Sequence, residues 1–205
     1  MTIGSGATGN LTLAATATVV LDTVPVATGT GTSIRLLNYN GTLTGSAANL
    51  ALANATDYRN AVFSTATAKQ VNLSIDTKAL TWSGASASWD INSSVNWDSG
   101  AEKFYQGDSV TFSDSGTTKE LTLAATVTPA SVTFNNTTGN DYSLSGGGGI
   151  TGSSALTKTG SGTVTISNTN TYTGSTTISD GTLETDTSGI NGCLLYTSPS
   201  PRDRG

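Results

Sequence analysis

Histidine is absent from the 205 residues. That removes imidazole triads, imidazole metal ligands and histidine acid–base chemistry together. Cysteine occurs once, as Cys193, in a segment set aside below as a nucleophile, ligand or disulfide partner. Charge is scarce: Asp, Glu, Lys and Arg make up 11%, against about 25% in ordinary soluble domains. The formal net charge is −5, and the clustered cations that phosphate contacts need are missing, so nucleic acid is not an expected partner. No apolar run approaches the roughly 20 residues of a membrane helix, and no membrane insertion by this segment is expected. The first ten residues, MTIGSGATGN, have neither a basic nor an apolar segment, so no signal peptide is read there.

What fills the chain instead is Thr, about a fifth of all residues, with Ser, Asn and 24 Gly. β-Branched Thr fits a pleated surface and disfavours helix. A disordered chain would share the low aromatic content of 6%, but apolar alternation recurs along this one and its net charge is small. Residues 155–184, ALTKTGSGTVTISNTNTYTGSTTISDGTLE, show the pattern best. Val164 and Ile166 alternate with Thr163, Thr165 and Ser167, the period of a half-buried strand. Gly160, Gly162, Gly174 and Gly181 punctuate the runs as turn residues.

The same stretch resembles the autotransporter-associated β-strand repeat, whose pattern runs roughly L-x-K-x-G-x-G-T-L-x-L-x-x-x-N-x-Y-T-G-x-T-x-I-x-x-G-T-L. Leu156, Lys158, Gly160, Gly162, Thr163, Asn170, Tyr172, Thr173, Gly174, Thr176, Ile178, Gly181, Thr182 and Leu183 fall on it. Val164 and Ile166 stand where the family has leucines. The resemblance implies a right-handed parallel β-helix in large secreted or surface proteins of Gram-negative-type bacteria, without catalysis.

Upstream, Leu11 and Leu13 alternate with Thr12, and residues 19–21 form a second apolar run. Pro25 and residues 29–31 break the pattern. Residues 34–37 read as a buried strand, followed by a turn at 38–41. Residues 43–63 read as strand or loop, since Asn49, Asn54 and Thr56 weaken the helical alternative. In KQVNLSID, residues 69–76, Val71, Leu73 and Ile75 share one strand face. From Leu80 all three tryptophans appear. Trp82, Gly84, Trp89, Asp90, Asn96, Trp97, Phe104, Gly107, Asp108, Val110 and Phe112 form a W-x-G…W-D…N-W…F-x-x-G-D-x-V-x-F series. It resembles a module that accompanies the repeat in large bacterial surface proteins. A further strand is read at residues 131–134. LTLAAT occurs at 11–16 and again at 121–126.

The last 13 residues break the composition. They hold the only Cys, two of four Pro and two of four Arg. CLLYTSPSPRD resembles one translated frame of a transposase-type sequencing adapter, and residues 193–205 are read as an adapter-derived scar. The expected organisation is therefore residues 1–80 as the trailing part of one β-solenoid unit, 81–140 as a Trp-containing β module, and 141–192 as the repeat. The whole reads as a window from a longer array.

Chemistry has few candidates. β-Helical glycosidases of the inverting type set two carboxyls about 6.5–9.5 Å apart. Asp90, Asp98, Asp108 and Asp114 are the carboxylates in the right region, and Asx-turn roles explain them better. Arg35 and Arg59 lie far from paired acids in sequence, so a lyase-type base has no support. Neither an EF-hand loop nor G-G-x-G-x-D is present, and glycines 146–149 lack the G-K-[ST] of a phosphate loop. Those glycines read as a flexible or tightly turned join between modules. No cofactor or metal is expected. Trp82, Trp89 and Trp97 are the candidate sugar-stacking residues, with core packing as the stronger reading.

The expected fold is all-β, right-handed parallel β-helix or β-solenoid coils with the Trp-containing module. The expected function is a structural stalk segment of a cell-surface or secreted autotransporter-like passenger, contributing to adhesion and not an enzyme. A carbohydrate-binding or carbohydrate-active β-helix is the alternative. The expected location is the outer membrane surface or extracellular space. Expected partners are further repeats of the same chain, extracellular glycans and host or neighbouring cell surfaces.

Overall fold

The computed structural model describes residues 9–13, 17–21, 32–186, 189–190 and 194–196. Most of the segment read for an export signal, the break read at Pro25 and 29–31, and most of the adapter-like tail lie outside them. The chain divides into Met1–Lys78 and Ala79–Gly205.

In the first unit, β1 (Leu11–Thr12) pairs in parallel with β4 (Leu43–Thr44), and β2 (Ala17–Val19) with β5 (Leu50–Leu52). Leu11 and Leu13 are buried with Tyr39 and Val71. The rest departs from the expected parallel coils. β3 (Thr32–Asn38), β7 (Gln70–Asp76) and β6 (Arg59–Ser64) form an antiparallel sheet in the order 3-7-6. The reason is connection length. Only residues 65–69 join β6 to β7, whereas a parallel crossover needs a dozen or more. Lys69 turns that corner at φ +63°. The expected face of β7 holds: Val71, Leu73 and Ile75 are buried. Residues 43–63 carry short strands and two 3₁₀ turns, Ala47–Asn49 and Ala55–Asp57.

The second unit alternates strictly between two parallel sheets. The first holds β8 (Ala79–Thr81), β10 (Ser109–Ser113), β12 (Ser131–Asn135), β14 (Ala155–Lys158), β16 (Thr176–Ile178) and β18 (Leu194–Tyr196), in that spatial order. The second holds β9 (Ser88–Trp89), β11 (Glu120–Leu123), β13 (Tyr142–Ser145), β15 (Thr163–Ile166) and β17 (Thr182–Thr185). Each coil thus gives one strand to each sheet, the arrangement of a β-solenoid. The ladders cross residue 140 without interruption through β12–β14 and β11–β13.

Period-2 alternation sorts the residues. Inward, Leu80, Val110, Val132, Leu156 and Thr176 stand in register from coil to coil, as do Phe112, Phe134, Lys158 and Ile178. Phe112 and Phe134 stack with centroids 4.8 Å apart and planes 16° apart. Outward, Thr81, Thr111, Thr133, Thr157 and Thr177 form a single column on the first sheet. Val164 and Ile166 face the core, as their alternation predicts. Coils approach so closely at corners that side chains are excluded. A Cβ on Gly160 would lie 2.1 Å from the Asn136 carbonyl oxygen, and one on Gly148 2.2 Å from that of Ala125. The glycine run at 146–149 is therefore a tight join between adjacent turns of chain.

Candidate functional site

The Trp segment is the richest cluster of large side chains. Trp82, Trp89 and Trp97 have relative exposures of 0%, 0% and 1%. Trp97 meets Trp82 edge-on at 5.0 Å and Trp89 at 5.8 Å, and Trp89 meets Phe104 at 5.6 Å. Phe112 lies within 5.8 Å of all three indoles. Trp82 Nε1 donates to the Thr118 carbonyl at 2.8 Å, while Trp89 Nε1 is buried without a partner. The rings belong to one apolar cluster that continues to Tyr172. A sugar-stacking platform needs an open ring face, and none of the three offers one. The scarcity of other large apolar residues draws the indoles inside, where each contributes the most area.

The carboxylates go to backbone ends. Asp90 accepts Ser94 N–H at 2.8 Å, and its Oδ2 accepts the hydroxyls of Ser88 and Ser94. Asp98 accepts Thr81 N–H at 2.8 Å. Asp108 is fully buried and accepts Tyr105 N–H at 3.0 Å. Asp114 reaches the next coil, accepting Thr137 N–H at 2.8 Å and its hydroxyl at 2.7 Å. These two bonds, the backbone one first, hold its carboxyl below the usual range. Each acid thus serves a turn or an adjacent coil, in keeping with the Asx reading.

Lys119 crosses the same corner. Its ammonium donates to the carbonyls of Ser113 and Asp114 and lies 4.6 Å from the Tyr142 ring centroid. Desolvation lowers the Lys119 pKa and raises that of the Tyr142 phenol. Tyr142 donates to Ser113 O at 2.6 Å.

Sequence reasoning missed the buried amides. Gln106 accepts Thr128 N–H and donates to Thr126 O. Asn170 accepts Ile150 N–H at 2.7 Å and donates to Gly189 O at 2.7 Å. Both bridge successive coils at corners, where strand ladders stop. Gln106 carries no sequence signal, and Asn170 falls on the repeat pattern without a role attached, since an Asn in a Ser/Thr/Asn-rich turn looks like any other turn residue. Lys158 was placed on the repeat pattern without a role. It is fully buried, its ammonium bonded to the Gly160 carbonyl, and desolvation lowers its pKa. Tyr172 is fully buried with its hydroxyl 2.7 Å from that of Thr176, beneath the turn at Gly174.

Residues 156–184 match the passenger-associated transport repeat family. The matched stretch covers β14 to β17, two strands in each sheet. Such repeats occur in autotransporter passengers, which are in general secreted or surface-exposed. No curated protein and no solved structure matches the chain.

Proposed function

We propose that this chain, with its transport repeat at 156–184, is a structural segment of an autotransporter-type passenger at the outer membrane surface. Its coils form part of a stalk and hold corner loops outward, where adhesion takes place. The observation that carries the reading is the coincidence of repeat and coil. The matched residues supply the alternating strands, and Leu156, Thr157 and Lys158 stand in register with β12 and β16. The coils wind right-handed, because parallel strands joined by a crossover adopt that hand in nearly all known cases.

The role requires no catalysis and no cofactor. The four candidate carboxylates serve backbone groups, which supports a scaffold over an acid pair. Partners are further coils of the same polypeptide and the surfaces of neighbouring or host cells. The apolar residues of the parallel sheets lie in the core, which supports a stalk outside the membrane rather than a segment inserted in it.

Surface display tests the reading. The chain would be placed between an export signal and a translocator barrel in a Gram-negative host, then exposed to external protease. The expected result is a protease-accessible passenger at the cell surface, with display falling when residues 156–184 are deleted. Retention inside the cell, or display indifferent to that deletion, would refute the proposal.

A further inference from the structure

β8 and β9 stand at one margin of their sheets. A marginal strand turns alternate N–H and C=O groups away from its partner, a ready template for pairing. On β8 that group belongs to Thr81, because the next N–H, of Trp82, donates inward to Thr111 O. Asp98 Oδ1 takes the Thr81 N–H at 2.8 Å. On β9, Thr122 N–H donates to Ala87 O, which turns Ser86 and Ser88 outward. Asn96 answers both: Oδ1 accepts Ser86 N–H at 2.8 Å and Nδ2 donates to Ser88 O at 2.7 Å. Its side-chain amide takes an N–H just before β9 and a carbonyl within it, groups that an added strand would otherwise compete for. Asn96 is 1% exposed, so this is a built position.

Between the two lies Trp97, edge-on to Trp82 and Trp89. Three consecutive residues thus engage outward groups at both sheet margins and pack the core beside them. The chain holds this at a conformational cost: Asp98 and Ser99 sit at φ +48° and +61°, a region L residues rarely adopt.

We infer that Asn96, Trp97 and Asp98 form an end cap that keeps β8 and β9 from pairing with a strand of a second copy of this chain. Among the described residues the complementary edge is β17, at the opposite margin of the second sheet. Thr182 N–H donates inward to Gly162 O, which turns the N–H of Leu183 outward. Joining that edge to an uncapped end is head-to-tail and does not close, so it grows open chains of molecules.

The full chain carrying Asp98→Ala and Asn96→Ala, singly and together, tests this by sedimentation velocity over a wide concentration range. Near-UV circular dichroism of the tryptophans reports the fold. The folded double variant is expected to associate at least about tenfold more tightly than the wild type. Asp98→Asn keeps the accepting oxygen and should behave as wild type. Adding Leu183→Pro, which removes an outward N–H of an edge strand and a side chain packed on the core, should abolish the gain, whereas Leu183→Ala, which removes the side chain alone, should keep it. A folded double variant that sediments like the wild type overturns the inference, as does association that persists with Leu183→Pro. Should Asn96→Ala unfold the protein, Asp98→Ala against Asp98→Asn decides by the same criterion.

Discussion

Phe134 gives the most direct test of the coil stack. Its ring is fully buried, stacked on Phe112 at 4.8 Å and followed in register by Lys158. Phe134→Ala removes a whole ring from a column with strands on both sides. Such truncations cost about 3–5 kcal/mol. That range already includes the lost aromatic contact, worth about 0.5–1.5 kcal/mol. The neighbouring Lys158 moderates the loss, because a cavity beside a buried ammonium can take water; we therefore expect the lower half, about 3–4 kcal/mol. Thr133, one residue earlier in the same strand, points outward, and Thr133→Ala should stay within about 0.5 kcal/mol. Phe134→Leu should fall between, near 1.5 kcal/mol or slightly above. Urea unfolding of the full chain, followed by both tryptophan fluorescence and far-UV circular dichroism, measures the series. Two probes are needed because stacked repeats can lose two-state behaviour. A Phe134→Ala loss below about 1 kcal/mol, or a Thr133→Ala loss equal to it, would refute the inward column.

Gly160→Ala should lower the melting temperature clearly, because its Cβ meets backbone oxygen at 2.1 Å, whereas Gly147→Ala, with nothing within 4 Å, should be neutral or slightly stabilising. The depressed pKa of Asp114 means a contribution fully present above the ordinary value of 3.8 and lost as pH falls through the lower folded value. An NMR titration of that carboxyl should therefore end below 3.8 in the folded protein, and Asp114→Asn should flatten the acid limb of stability against pH. Lys158 acts with the same sign at the alkaline end, here because burial disfavours its charged form. Its lowered pKa makes the unfolded chain bind more protons between the folded value and 10.5, so stability rises with pH in that window. Tyr142, shifted up by burial, opposes this above pH 10. The difference between wild type and Lys158→Met isolates the lysine: the variant should lose that upward slope in pH-dependent urea unfolding.

The parts of the fold that could be read from the sequence are those written within a single strand. Val164 and Ile166, or Val71, Leu73 and Ile75, declare their inner face by alternation alone. The burial of the tryptophans followed from the scarcity of other large side chains. The antiparallel sheet of the first unit is not legible in the sequence, because both partners of β7 precede it and one lies about 35 residues away (Leu37 opposite Val71 lies 34 earlier). Contacts at corners were equally hidden. Asn96 and Asp98 appeared as motif and turn residues, and only strand placement reveals which N–H groups they accept. Threonine stacked on threonine outside is expected of parallel coils, but which five form the column is hidden because they are not evenly spaced along the chain.

That uneven spacing has a consequence for how such a chain changes over time. Successive coils differ in length: 30 residues separate Ala79 from its partner Ser109, 22 separate Ser109 from Ser131, 24 separate Ser131 from Ala155, and 20 separate Leu156 from Thr176. The ladders keep register throughout, so the surplus is absorbed at the corners. Lengthening a corner loop is thermodynamically mild, about 0.6 kcal/mol per doubling. A one-residue shift within a strand would instead turn every core side chain outward. Descendants of this sequence are therefore free to gain and lose corner segments, including whole surface insertions, while the strands tolerate substitution but not slippage. Diversity at the corners can accumulate without altering the ladders.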